Sequence, residues 1–438
     1  MSNPTCVRIE RYPFGRTHAI SLVDDTDGAT VAQCGPVYDL LADHGLLCTK
    51  TVWPLRAASP SGAGAAVERA TDTLEDPTYR ALCLTLAQRG FEVAMHTASG
   101  GNNDRRRTLR AYALFESIFG APPATNVMHG RNRENLYWAG QHTRHGGWRA
   151  ISRVHDALSR RRDPPFEGHV PASPWFWGDV CLERTRYVRF FETLRTDTLA
   201  FDPSTPYHDP SKPFVSWWFS ASYGAGSRLL ALLTPERVAE LAANRGASIL
   251  HTYCTQYGRH SSMGRRTVHP GFAALARQLG DDAAAWVVPV ATLLDRLRAV
   301  RDVEIGVLGT RIVVCNVGDL PVGDLALACP EGVRLHTSDG DEVSSRRSAL
   351  GQVLLGELAP RASLTLTASR PVQVADAGLA RSPRPVRLAL GTAARVAWQH
   401  WQTYSSPQRT WSRLVAPAGV RPEVPWTADL AGDDASTS

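Results

Sequence analysis

Lysine is almost absent from this chain. Lys50 and Lys212 are the only two, so arginine supplies nearly all of the positive charge behind the formal net charge of +6. A bias this complete indicates genome composition rather than nucleic-acid binding. The densest run, Arg105-Arg106-Arg107 followed by Arg110, opens a helical pattern and is typical of a solvated helix face, with a phosphate-binding patch as the alternative. No nucleic-acid partner is therefore predicted.

Long apolar runs and secretion signals are also missing. No stretch approaches the roughly 20 apolar residues of a membrane span, so none is predicted. The N-terminus, Met1-Ser2-Asn3-Pro4-Thr5-Cys6, lacks a charged region followed by an apolar core. The eight cysteines form no C-x-x-C pair and several lie in apolar runs, which favours buried, reduced thiols. These absences predict a cytoplasmic protein, and they indicate nothing about its oligomeric state.

Two common catalytic signatures are absent as well. The chain has no G-x-S-x-G elbow, and no Ser-His-Asp arrangement stands out, so serine-hydrolase chemistry is not indicated. The glycine-containing turn at 221–226 is not followed by G-K-[ST], which excludes a phosphate loop there.

The order of apolar and amphipathic segments predicts the fold. From about residue 17 to 300 they alternate, which is typical of an α/β architecture with a parallel sheet, open or closed into a barrel. Residues 140–215 are rich in proline, aromatic and charged residues and are interpreted as long insertions over one barrel face. We predict a barrel domain over 1–302, a small β-sandwich module over 303–375, and an extension over 376–438 with a disordered tail.

Two adjacent carboxylates, Asp24 and Asp25, follow the first apolar run, 19–23. Like charges this close repel each other, so the fold must offset the cost with a metal ion, a cation or a shared proton. Neighbouring side chains on a strand point to opposite faces, but at a strand end both can turn towards one pocket. The alternative is a solvated turn that continues into Asp27-Gly28.

Histidines follow directly on three further predicted strands: His96, His129 and His251. The carboxyl ends of the strands meet at one mouth of a parallel barrel, so we expect these rings and the Asp pair to converge there. A single histidine at a strand end is more often structural than a ligand, but four convergent sites are hard to explain by packing. Imidazole nitrogens with one carboxylate suit Zn²⁺, and also Fe or Co, with a position left open for water.

Three segments resemble the motifs of the NodB-like polysaccharide deacetylases (carbohydrate esterase family 4). They are Leu22-Val23-Asp24-Asp25, the strand and His-Thr pair at 89–97, and Ser248-Ile249-Leu250-His251. They occur in the family's order over about residues 17–300. The resemblance implies a distorted (β/α) barrel and a hydrolase that uses a divalent metal, with Zn²⁺ expected, to remove an acetyl group from an amino sugar or glycan.

The resemblance also implies a role for individual residues. Asp24 corresponds to the general base, Asp25 and His96 to metal ligands, and His251 to the general acid that protonates the leaving amine.

Two positions depart from the family's pattern. The second metal-binding histidine would fall on Gly100, and His129 is expected to replace it. Arg131 or Arg133 is expected to contact the catalytic Asp, although the family's Arg-x-Pro context is absent.

An aromatic segment supplies candidate substrate-binding residues. In Trp175-Phe176-Trp177-Gly178-Asp179, the ring of Trp177 can stack on a sugar, and Asp179 can orient the catalytic histidine. The alternative is that these rings pack an insertion against the barrel.

Three functions remain open at this point. The first is a metal-dependent hydrolase that removes an N-acetyl group from a carbohydrate. The second is a catalytically inactive, carbohydrate-binding member of the same fold, which the missing second histidine favours. The third is a glycoside hydrolase, in which two carboxylates flank the scissile bond. Adjacent Asp24 and Asp25 are poorly suited to the third, because its acid and nucleophile approach the sugar from different sides.

Overall fold

The computed structural model describes residues 6–58, 65–130, 132–137, 165–260 and 266–375. The helices are α1 (Val31–Asp43), α2 (Ala65–Ala70), α3 (Pro77–Gln88), α4 (Arg105–Phe119), α5 (Gly178–Arg184), α6 (Thr198–Phe201), α7 (Ser227–Leu232), α8 (Pro235–Ala243), α9 (Pro270–Asp281) and α10 (Val290–Val300). The strands are β1 (Cys6–Ile9), β2 (His18–Asp24), β3 (Thr49–Val52), β4 (Glu92–Met95), β5 (Thr125–Asn126), β6 (Tyr187–Thr193), β7 (Trp217–Tyr223), β8 (Ala247–Thr252), β9 (Gly258–His260), β10 (Arg266–Val268), β11 (Ala285–Val287), β12 (Val303–Leu308), β13 (Arg311–Asn316), β14 (Val322–Ala328), β15 (Leu335–Thr337), β16 (Val353–Leu358), β17 (Ser363–Ala368) and β18 (Gln373–Val374).

Seven of the described strands close into a parallel barrel. Their order is β2-β3-β4-β5-β6-β7-β8, and β8 pairs back with β2 from Ala19 to Asp24. An eighth parallel strand, β11, pairs with the first half of β2. The predicted (β/α) barrel is thus confirmed. Because all these strands run in the same direction, their carboxyl ends share one mouth, where a barrel of this kind carries its functional side chains.

The barrel strands are buried on both faces. Every residue of β2 and of β8 is buried, because one face of each strand lines the interior and the other packs under the helices. This is why these segments have near-continuous apolar sequences. The first helix, α1, begins at Val31, where the side chain of Thr30 accepts a hydrogen bond from the amide of Gln33. Pro36, predicted to lie near the helix start, is therefore inside it.

The predicted insertion at 140–215 contains part of the barrel wall. Strand β6 lies within it and pairs with both β5 and β7. The sequence Tyr187-Val188-Arg189-Phe190-Phe191-Glu192-Thr193 did not resemble a buried strand because it carries Arg189 and Glu192. Both charged side chains belong to the site described below. They removed the apolar pattern by which a buried strand is recognised, so the interpretation of this part as an insertion was wrong.

Two further four-stranded sheets form a sandwich with its own apolar core. Their strand orders are β16-β14-β1-β18 and β12-β13-β17-β15. The N-terminal strand β1 thus lies in the sandwich: Arg8 pairs with Ala328 on β14 and Cys6 with Gln373 on β18. The sandwich module is built from both ends of the described chain, whereas the predicted boundaries gave it residues 303–375 alone.

None of the helices in the described ranges has the length and apolar composition needed to cross a bilayer. The predicted extension at 376–438 lies outside the described residues, as does Arg131.

Candidate active site

Three side chains from separate barrel segments meet at the mouth. One oxygen of Asp27 lies 3.2 Å from Nε2 of His96, and the other lies 3.0 Å from Nε2 of His129. The three donor atoms are all within 4.8 Å of one another. His96 directly follows β4, as the sequence predicted, and His129 lies in the loop after β5, which ends at Asn126 rather than at the predicted residue 128. Asp27 was predicted only as part of a turn.

The hydrogen bonds of the two rings are compatible with metal binding through Nε2. Nδ1 of His96 is 3.0 Å from the carbonyl oxygen of Val127, and Nδ1 of His129 is 3.1 Å from Oδ1 of Asn132. Both partners accept hydrogen bonds, so each Nδ1 holds a proton. A neutral ring then points its Nε2 lone pair at the carboxylate of Asp27, and two acceptors repel unless a cation lies between them or the rings are charged. Two imidazoles and one carboxylate fit Zn²⁺ or a similar ion.

The charges in this cluster stabilise one another. Burial raises the pKa of Asp27, but hydrogen bonds from His129 and His96 outweigh it and bring that pKa far below its usual range. Burial lowers the pKa of His129, but the carboxylate of Asp27 outweighs it and raises the pKa to about 9.

Asp25 lies beside this cluster and is held by an arginine. Nη1 and Nη2 of Arg189 donate to its two oxygens at 2.9 and 2.7 Å, and both side chains are buried. One of these oxygens is 2.9 Å from Nε2 of His251 and 3.9 Å from Nε2 of His96. Burial raises the pKa of Asp25, but the charges of Arg189, His251 and His96 hold it well below its usual range. Asp25 is therefore an ionised carboxylate.

His251 lies between two carboxylates, as a proton donor would. Its Nε2 faces Asp25, and its Nδ1 contacts the carboxylate of Glu192 on β6. Burial and the charge of Arg189 lower the pKa of His251, but Asp25 and Glu192 outweigh them and raise it to about 9. The ring is thus protonated at neutral pH. The ring of Tyr253 lies 5.0 Å from that of His251 and restricts its orientation.

Asp24 does not join the site, although it was predicted to be the general base. Its Oδ2 accepts hydrogen bonds from Nζ of Lys50 at 2.8 Å and from the hydroxyl of Tyr38 at 2.6 Å, and its Oδ1 accepts from the amide of Cys254 at 2.6 Å. All of these groups are buried. Strand alternation continues through the end of β2, so Asp24 and Asp25 face apart. A carboxylate fully used in these bonds has no access to a substrate.

The two predicted substrate-binding residues also lie elsewhere. Trp177 is 1% exposed, and its indole nitrogen donates to the carbonyl of Glu134, so the ring has no free face for a sugar. Asp179 is bound at both oxygens by Arg105, at 2.7 Å each, on the protein surface. The packing alternative considered for this segment describes Trp177 well.

Of the two candidate arginines, Arg133 lies within the described residues and contacts a different carboxylate from the one predicted. Arg133 pairs with Glu167 at 3.2 Å. Arg131 is outside the described residues. Arg189, from an element that was not recognised as a strand, occupies the position beside Asp25.

The packing around Gly100 explains the missing second histidine. A Cβ at this position would lie 2.6 Å from Cη2 of Trp53 and 2.8 Å from Cγ of Glu68, which leaves no room for an imidazole. The ring of Trp53 stacks on His96 and meets His129 edge-on, with ring centroids 6.2 and 5.4 Å apart. His129 approaches the same cluster from the segment after β5.

Sequence reasoning missed Asp27, Arg189 and Glu192. Asp27 lies in the turn after β2, where strand alternation does not fix the direction of a side chain, so its sequence position carried little signal. Arg189 and Glu192 also gave little signal in the sequence. Strict alternation would put them on opposite faces, but the β6–β7 register shifts by one between Arg189 and Phe191, and this bulge brings both to the site.

No family model and no curated protein matches this sequence. Similar solved structures include a Mycobacterium smegmatis protein assigned as a polysaccharide deacetylase, with 12% identity, a TM-score of 0.38 and coverage of 68% of this chain and 96% of that one. PuuE allantoinase has 11% identity, a TM-score of 0.35 and coverage of 68% and 95%. Peptidoglycan deacetylase PdaC from Bacillus subtilis has 10% identity, a TM-score of 0.31 and coverage of 66% and 94%. Deacetylases, the family that the sequence motifs resemble, recur among these matches. At such TM-scores they carry no argument, and the strand order establishes the barrel.

Proposed function

We propose that this protein is a metal-dependent hydrolase that removes an N-acyl group, most simply acetyl, from an amino sugar or glycan. One observation carries the proposal. The donor cluster of Asp27, His96 and His129 directly adjoins an ionised carboxylate, Asp25, which in turn contacts a protonated histidine, His251. This is the set of groups that metal-dependent amide hydrolysis uses: a metal site, a base and an acid.

The base in this proposal is Asp25 rather than Asp24. A divalent ion held by Asp27, His96 and His129 would polarise the acyl carbonyl and lower the pKa of a bound water. Asp25 is ionised and lies 3.9 Å from Nε2 of His96, so it is placed to accept the proton of the attacking water. Arg189 holds both of its oxygens and fixes the direction of the carboxylate.

His251 is the proposed proton donor to the leaving nitrogen. An amine departs easily only after it is protonated, so the donor must be charged at the working pH. The two neighbouring carboxylates keep His251 charged, and the contact of Glu192 with Nδ1 leaves Nε2 directed into the site. Glu192 is thus the orienting carboxylate, a role that the sequence had suggested for Asp179.

The substrate class follows from the resemblance of three sequence segments to NodB-like deacetylases, and it is the finer part of the proposal. The chemistry itself requires only an amide whose carbonyl reaches the cluster. An acetylated amino sugar meets this requirement and is the first substrate to test.

The experiment compares metal content and acetate release in the purified full chain. Asp27→Ala and His96→Ala should lose both bound zinc and acetate release, and a chelator should do the same to the wild type. Asp25→Asn should retain zinc and lose release. Asp179→Asn, at a surface carboxylate outside the site, is the matched control and should retain both.

Undiminished release of acetate in Asp27→Ala and His96→Ala would refute the metal mechanism. Binding of acetylated oligosaccharides without turnover or bound metal would instead favour the inactive, sugar-binding alternative.

A further inference from the structure

The amide of Asn132 has an orientation fixed by its surroundings. Its Nδ2 lies 2.9 Å from the carbonyl of Gly101, 3.2 Å from the carbonyl of Ser99 and 3.0 Å from Oε1 of Glu134. These three oxygens accept hydrogen bonds, so the nitrogen end of the amide must face them. The oxygen end, Oδ1, therefore faces His129. With 3% of the residue exposed, solvent does not compete for either end.

This orientation determines which ring nitrogen of His129 carries the proton. Oδ1 of Asn132 lies 3.1 Å from Nδ1, and an acceptor at that distance requires an N–H. With a metal ion in the cluster, the ring would then present its lone pair at Nε2, which lies 3.0 Å from Asp27. His96 reaches the same state through a different acceptor, the carbonyl of Val127.

We infer that Asn132 is a positioning residue that holds His129 as a metal ligand through Nε2. The inference rests on the proposed metal site. The chain after His96 would hold the second histidine in the resembling family, but here it supplies the carbonyls of Ser99 and Gly101 that anchor the Asn132 amide. The loop after His96 therefore does not supply a second ligand itself. It supports His129, a ligand that comes from the segment after the next strand.

The first test removes the acceptor and keeps the volume. In Asn132→Leu, nothing holds the proton on Nδ1, and a neutral His129 distributes it between its two nitrogens. Loss of a hydrogen-bond partner behind a metal-binding histidine typically weakens metal affinity about 10–100-fold. We expect the Kd for Zn²⁺, measured by competition with a chromophoric chelator, to rise by that factor.

A matched control separates this effect from loss of packing. Asn103 also donates through its side chain to Oε1 of Glu134 and to the carbonyl of Gly101, both at 2.6 Å. No hydrogen bond joins it to His129 among the described residues, so Asn103→Leu should lower stability and leave the Kd for Zn²⁺ within a few-fold of the wild type. Equal weakening of zinc binding by Asn103→Leu and Asn132→Leu would overturn the inference.

A direct measurement reads the proton position even if a variant folds poorly. The ¹⁵N spectrum of zinc-loaded wild type with labelled imidazoles should show His129 with its proton on Nδ1 and its zinc-bound nitrogen at Nε2. His129→Gln supplies the assignment. A proton on Nε2 would overturn the inference. Failure of the wild type to bind zinc would instead count against the proposed function, and the two results are independently measured.

Discussion

Lys50 and Asp24 form an ion pair with no exposed surface on either side chain, 2.8 Å from nitrogen to oxygen. Asp24 raises the pKa of Lys50 far enough to outweigh the opposing effect of burial. The only other lysine, Lys212, is also buried and pairs with Asp209. In a chain that uses arginine almost everywhere else, lysine persists where a compact point charge has to fit between packed groups.

Lys50→Met should be strongly destabilising, because it leaves the charge of Asp24 buried without a partner. Breaking such a pair from one side typically costs about 3–5 kcal/mol. Arg361→Met is the control, since Arg361 and Asp319 form an exposed pair worth about 0–1 kcal/mol. Urea unfolding followed by circular dichroism measures both. A loss for Lys50→Met no larger than that for Arg361→Met would contradict the prediction.

Replacing each of the two neighbouring aspartates by asparagine should separate an effect on catalysis from an effect on stability. Asp25→Asn removes the proposed proton acceptor, and kcat should fall about 10²–10⁴-fold with zinc retained. Asp24→Asn leaves Lys50 buried without its counter-charge, so stability should fall while kcat per folded molecule changes far less. Steady-state kinetics with active-site titration measures the difference. A larger loss of kcat in Asp24→Asn than in Asp25→Asn would restore the assignment made from the sequence.

The pH dependence of activity should report the protonation of His251. A proton donor loses activity as the pH rises through its pKa, so kcat/KM of the wild type should decline near pH 9. Glu192→Gln removes one of the carboxylates that raise this pKa, and the decline should move to lower pH by about 1–3 units. Glu167→Gln, at a carboxylate that pairs with Arg133 away from His251, should leave the profile in place. An unchanged profile in Glu192→Gln would exclude His251 as the donor.

Gly100→Ala should destabilise the protein, because the added methyl group meets the ring of Trp53. Overpacking of this kind typically costs about 1–3 kcal/mol. Trp53→Phe removes the crowding ring atoms, so the double variant should lose less than the sum of the two single losses. Gly35→Ala is the control: a Cβ there has no neighbour within 4 Å, and alanine favours the interior of α1. Thermal unfolding of the four variants measures the loss of stability in each. A loss in the double variant equal to the sum of the two single losses would contradict the predicted clash.

The sequence was most informative where a strand ends in a single polar residue. His96, His129 and His251 were predicted from that pattern alone, since apolar strands of a parallel barrel deliver their last residues to one mouth. The pattern failed for the Asp pair. Two adjacent residues on a strand cannot both face the site, and the sequence does not state which one does until the position of Lys50 is known.

Arg189 and Glu192 were not predicted because the charges proposed to serve the site also disguise the strand that carries them. Arg189 and Glu192 place charges on the inner side of β6, and this removed the apolar signal by which the other barrel strands were recognised. The bulge that brings both into the site also broke the alternation that could have revealed them. Local sequence patterns describe packing well, and they describe a functional strand poorly when its buried positions are occupied by ions.

The pairing of β1 with β14 affects how the chain folds during synthesis and how it can be divided into fragments. Arg8 is synthesised before the barrel, yet its partner Ala328 is synthesised only after the whole barrel. The nascent N-terminal strand must stay unpaired throughout that interval, exposed to chaperones and to neighbouring chains. For the same reason, a barrel fragment that ends near residue 302 would carry an orphan edge unless it also began after Ile9.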